Sequence, residues 1–184
     1  MPPIPGWSGL HPLVIHFPVA LLFVAPLFVV AAAFWRRHRE SWSLGALALM
    51  AIGTFSLFFA VATGEAAGQL VERTPLITAS LERHESLAET GRVVFSLLTL
   101  AFATLVLVPM VLRREPASWV RQTLTAIFLL AYAGGIGHLT KVAHEGGRLV
   151  HEFGVRSMVA TPGPEAAALG ADTAGRESRD DDDR

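Results

Sequence analysis

The chain has 184 residues, 52% of them hydrophobic and only 17% charged, with a formal net charge of −1. It is too apolar for an ordinary soluble domain, where charged residues approach about a quarter of the total, and no basic face accumulates that would suit a nucleic-acid partner. The absence of cysteine excludes disulfides, thiolate metal sites and covalently attached c-type haem.

Four stretches without Asp, Glu, Lys or Arg follow one another at residues 13–35, 44–64, 93–112 and 122–140. Each holds roughly 19 to 23 residues, enough at about 1.5 Å per residue to span the roughly 30 Å hydrocarbon core of a bilayer. The expected fold is all-α: an integral-membrane bundle of four transmembrane helices over residues 1–158. A disordered acidic tail, residues 159–184, is expected to follow, since it lacks apolar periodicity and contains Asp180, Asp181, Asp182 and Asp183 in a row.

The first stretch lacks a preceding basic region and is longer than a signal-peptide core, so it reads as a retained helix. It opens with Leu10-His11-Pro12-Leu13-Val14-Ile15-His16-Phe17-Pro18, placing two imidazoles at its outer end. Pro12 suits a first helical turn. Pro18 removes the bond to the Val14 carbonyl and is expected to kink the helix, leaving a carbonyl free to orient His16. The loop that follows carries Arg36, Arg37 and Arg39, and the loop after the third stretch carries Arg113, Arg114 and Arg121. This basic bias places both loops in the cytoplasm, and so both termini in the periplasm of a bacterial inner membrane. Trp7, Trp35, Trp42 and Trp119 read as interface anchors.

Between the second and third stretches, Pro75 and the run Glu82-Arg83-His84-Glu85 predict that the third helix starts before the membrane as a polar extension. His84, Leu87, Ala88, Gly91 and Phe95 share one face at helical spacing, and the small Ala88 and Gly91 leave room beside the histidine. Gly64 and Gly68 have GxxxG spacing but straddle a charged boundary, which is weak support for dimerisation. The fourth helix ends in Gly134-Gly135-Ile136-Gly137-His138, with His144 and His151 seven residues apart beyond it and Gly147 and Arg148 between them.

Threaded this way, six of the seven histidines collect at one membrane face, and His38 falls at the other. Such residues can rest in the headgroup layer with a wet polar tip. Ionisable residues gathered at helix ends also mark functional sites in membrane proteins. The sharpest reading is a b-type haem held by two histidines from different helices, with His16 and His144 the favoured pair, His84 and His151 the next candidates, and Arg92 or Arg148 pairing with propionates. Two axial histidines leave no open coordination position, which means electron transfer. A second reading is a copper, iron or zinc ion on His11, His16, His84 and His144, helped by Glu65, Glu85 or Glu145. A third is a non-catalytic subunit in the lipid bilayer that docks a periplasmic redox protein. No phosphate-binding loop, nucleophile elbow or zinc-protease helix is present, so no catalytic residue is assigned, and nothing fixes the oligomeric state.

The opening His-Pro-Leu-x-x-His-Phe-Pro, a histidine before the third helix, and the closing His-x-Gly-Gly-x-Leu-x-His followed by Gly154-Val155 resemble a bacterial membrane family known as domain of unknown function 2231. The resemblance covers about residues 10–155. It implies a four-helix membrane fold and points to His11, His16, His84, His144 and His151 without naming a reaction. Many members of that family carry Tyr or another residue where this chain has His151.

Overall fold

The computed structural model describes residues 10–155; Trp7 and the acidic tail lie outside them. Short α1 (His11–Val14) leads into α2 (His16–Phe34), and a 3-10 turn at Arg36–His38 precedes α3 (Arg39–Gly68), α4 (Pro75–Leu112) and α5 (Ser118–His151). No strand occurs among the described residues. Among the described residues four helices are long and apolar enough to cross a membrane, with α1 and α2 forming a single span from His11 to Phe34.

Local chemistry accounts for the boundaries. Thr74 caps α4 by accepting a hydrogen bond from the Ile77 N–H, and Pro75 occupies the first turn, where a missing N–H costs nothing. The helix therefore starts well before its apolar stretch, as the sequence predicts. It stops where Arg113 turns into the left-handed region at φ 49°. The proline effect in the first span is milder than a sharp kink. Ile15 keeps helical dihedrals between α1 and α2, and the bond from the Val19 N–H to the Ile15 carbonyl stretches to 3.5 Å next to the N–H that Pro18 lacks.

Consecutive helices pack as antiparallel neighbours, and α5 returns to touch α2, closing the bundle. Its centre holds Leu22, Met50, Phe95 and Tyr132, all essentially inaccessible. Polar groups within the membrane-spanning core, Tyr132 and Thr54 among them, are paired, as a hydrocarbon environment demands, whereas Ser80 Oγ, in the extension of α4, is buried without a partner. The Tyr132 hydroxyl donates to the Leu22 carbonyl at 2.8 Å, and the Thr54 and Thr99 hydroxyls bond at 2.8 Å across α3 and α4. Large apolar side chains such as Leu27, Phe55, Leu100 and Leu130 point outward. That inversion of the soluble pattern is expected where lipid is the solvent.

The two ends differ in chemistry. At one, Trp35 stacks on Trp42 at 5.8 Å and Arg121 pairs with Glu115 at 2.8 Å. The other brings together the start of α1, the end of α3, the extension of α4 and the end of α5, and with them most of the histidines.

Candidate functional site

Three histidines at this end are held in the same way. Each lies over a glycine of a neighbouring helix, and one ring nitrogen meets the backbone carbonyl four residues before that glycine. His11 Nδ1 is 3.0 Å from the Ala60 carbonyl, with Gly64 beneath its ring. His84 Nδ1 is 3.1 Å from the Val142 carbonyl, with Gly146 beneath. His138 Nε2 is 2.8 Å from the Leu87 carbonyl, with Gly91 beneath.

Helix geometry explains the repetition. Residues j and j−4 lie above one another on one face. The carbonyl at j−4 keeps a second lone pair after taking the helix bond. A side chain at j would stand between an approaching ring and that oxygen, and glycine has none. A Cβ added at Gly64 would crowd His11 Cε1 at 2.9 Å and one at Gly146 would crowd His84 Cε1 at 3.0 Å, whereas one at Gly91 would meet His138 Cδ2 at an ordinary contact distance of 3.5 Å.

A carbonyl only accepts, so these bonds fix the tautomers: Nδ1 carries the proton in His11 and His84, and Nε2 carries it in His138. The other nitrogen of each ring keeps a lone pair fit for a metal. Thr63 Oγ1 lies 3.2 Å from the same His11 nitrogen while donating to the Phe59 carbonyl at 2.9 Å, which reinforces the assignment. His11 is thereby tied to α3 and His84 to α5.

Charged groups surround the histidines. The Glu145 carboxylate, only 12% exposed, takes a hydrogen bond from Arg148 at 3.1 Å, and the Arg83 guanidinium stands at 3.7 Å. Arg148 also bonds Glu152 at 3.0 Å. Glu85 packs against Gly68; burial pushes its carboxyl above the usual range, Arg73 opposes this, and Glu65, Glu82 and Glu89 add to it. Thus Gly64 and Gly68 receive His11 and Glu85 of the same chain, which gives the GxxxG spacing an intrachain role.

Burial holds the His84 imidazole below its ordinary pKa of 6.5, against the opposing effects of the Val142 bond and Glu145. A histidine with a lowered folded-state pKa resists protonation when folded. Its contribution to stability is complete above about pH 6.5, the unfolded value, and is lost as pH falls towards the folded value. The thermal midpoint of the unliganded chain in detergent is therefore expected to be flat above about pH 7 and to fall below about pH 6. His84→Gln should flatten the fall; an unchanged slope in that variant would remove His84 as its source.

The other expected site residues are arranged differently. His16 is exposed, and its Nδ1 donates to the Pro12 carbonyl at 2.7 Å, not to the Val14 carbonyl that Pro18 frees. Side chains lean toward the helix N-terminus, so the ring reaches back one turn. His144 and His151 are exposed on an unbroken α5. Arg92 lies over the Phe58 ring at 5.4 Å. The room expected beside His84 at Gly91 is taken by His138, and His84 uses Gly146 instead. His138 has no role on sequence grounds alone. Its signal is the pairing of Gly91 with a carbonyl one turn earlier, which becomes visible only once α4 and α5 are in register. Among the described residues no group of three or more His, Asp or Glu side chains is placed to hold a metal ion.

A family described as "Predicted membrane protein (DUF2231)" matches residues 8–158. No curated protein and no solved structure matches the chain.

Proposed function

The chain belongs to the DUF2231 family of predicted membrane proteins, and from that premise we propose that it is an electron-transfer protein of the bacterial inner membrane, holding haem b at its histidine end. The observation that carries this reading is the pair His11 and His84. They come from different helices and are half-buried. Each has Nδ1 fixed by a backbone carbonyl, which leaves Nε2 available as an axial ligand.

Ligand arithmetic favours haem over a bare ion. A protein-held copper, iron or zinc ion takes about three or four side chains, whereas a porphyrin supplies four nitrogens itself and asks only two of the protein. The pair also shifts from His16 and His144 to His11 and His84, because the first two rings are exposed and the second two are oriented by neighbouring helices. Of the two arginines with the right chemistry for a propionate, Arg92 is the freer, since Arg148 is committed to Glu145 and Glu152. Two axial histidines close the coordination sphere, so the bound group would pass electrons, with a periplasmic redox protein as its partner.

The arginines at the opposite end, Arg36, Arg37, Arg39, Arg113, Arg114 and Arg121, support an orientation with that end in the cytoplasm and the histidines at the periplasmic face. A periplasm-dependent reporter fused after Arg39 is expected to be silent, and one fused at the C-terminus active. The reverse pattern would turn the histidine end to the cytoplasm.

The test of the function is the absorption spectrum of detergent-purified protein from cells supplied with haem precursor. Reduction with dithionite is expected to give a sharp α-band. A colourless protein under demonstrated haem supply would end the cytochrome reading.

A further inference from the structure

A groove of about 480 Å³ opens between α4 and α5 on the flank of the histidine end, lined by Arg83, Leu87, Thr140, Lys141, His144 and Glu145. We infer that this groove binds the phosphate of an anionic phospholipid from the adjacent leaflet, through Arg83, Lys141 and His144. The inference stands independently of the haem reading, since His144 is not one of the two proposed ligands.

Level is the first argument. The charge-free run of α5 ends at Thr140, and the groove's α5 residues extend only to Glu145. At about 1.5 Å of rise per residue they lie within roughly 8 Å of the hydrocarbon boundary. The headgroup layer of each leaflet is about 5–7 Å thick. Arg83 lies ten residues before the charge-free run of α4, yet its guanidinium stands 3.7 Å from Glu145, so its charged tip shares the level of the α5 residues, where lipid phosphates lie, and Leu87 offers an apolar wall beside them.

Uncommitted donors are the second argument. Glu145 is already bonded by Arg148 at 3.1 Å, and the Arg83 guanidinium at 3.7 Å stays outside hydrogen-bond range of it. Arg83 is 66% exposed, and Lys141 and His144 are exposed as well. No protein hydrogen bond engages any of the three among the described residues. Arg83 and Lys141 each bring several N–H donors and no acceptor, and His144 has an N–H in either protonation state. Thr140 is excluded as a ligand, because its hydroxyl proton goes to the Ile136 carbonyl at 2.9 Å and a phosphate diester needs donors. Three donors around one concavity, beside a carboxylate already hydrogen-bonded by Arg148, match a phosphodiester that carries net negative charge.

The test uses the full chain in nanodiscs of phosphatidylcholine with a minor fraction of phosphatidylglycerol, counting lipids that remain bound after transfer to detergent. Wild type is expected to retain phosphatidylglycerol in preference to phosphatidylcholine. Retention should drop about fivefold for each of Arg83→Gln and Lys141→Gln, while Arg83→Lys and Lys141→Arg keep it. Arg37→Gln and Arg114→Gln, at the opposite end, should leave it unchanged. Helical content and thermal midpoint serve as the folding control, and the charge-retaining variants carry the test should the glutamine variants fail to fold. Equal retention of the two lipids by wild type, or undiminished retention in a folded Arg83→Gln/Lys141→Gln variant, would overturn the inference. So would displacement of phosphatidylglycerol by millimolar inorganic phosphate, which would make the groove a site for soluble anions.

Discussion

Gly146→Ala is expected to destabilise the bundle by about 1–3 kcal/mol, whereas Gly147→Ala, one residue along the same helix, should be neutral or stabilise by about 0.5–1 kcal/mol. The new methyl at residue 146 would stand 3.0 Å from His84 Cε1. The ring cannot swing away without losing the Val142 carbonyl, and the polar nitrogen would then be left partly buried and unpaired. At residue 147 nothing lies within 4 Å, so only the helix preference of alanine over glycine remains. Gly64→Ala should behave like Gly146→Ala, with a Cβ 2.9 Å from His11, and Gly134→Ala and Gly137→Ala like Gly147→Ala. Thermal unfolding followed by circular dichroism in one detergent reads the difference. Equal midpoints for the 146 and 147 variants would mean that the histidine does not depend on the missing side chain.

His11→Ala and His84→Ala are each expected to lower bound haem per chain by more than about tenfold, since even the loss of an outer-shell partner costs about 10–100-fold in metal affinity. His16→Ala and His144→Ala should retain most of it. The contrast follows from orientation. His11 and His84 are aimed by carbonyls of the facing helices, so their remaining lone pairs are placed before any ligand arrives. His16 is aimed by its own helix, and His144 lies exposed in the flanking groove. Haem extracted and quantified against protein gives the ratio. Loss on His16→Ala or His144→Ala instead would restore those two as the ligands.

Much of the fold was legible because lipid imposes a coarse rule. Charge-free runs of membrane length must become helices whose backbone bonds are internal, and residues 44–64, 93–112 and 122–140 each fall inside a spanning helix, as does 13–35 apart from its last residue, Trp35. The early start of α4 was readable from Pro75 and the shared face from His84 to Phe95, whose members turn inward. The inward choice among the histidines was not readable. His11 and His16 both sit near the start of the first span, and sequence favoured His16 because Pro18 suggested a free carbonyl beside it. Which ring points inward depends on the register between helices: His11 meets Gly64, His84 meets Gly146 and His138 meets Gly91. Those glycines are visible in the sequence, but their partners lie about 50 to 60 residues away, and periodicity within one helix carries no information about its offset from the next.

The most direct test of the central proposal is the low-temperature electron paramagnetic resonance spectrum of the oxidised protein, purified with haem. Ligation by His11 and His84 predicts a low-spin ferric signal from two axial imidazoles, converted to high spin or lost in His84→Ala and in His11→Ala. A high-spin signal in the wild type, or a low-spin signal that survives both substitutions, would contradict it.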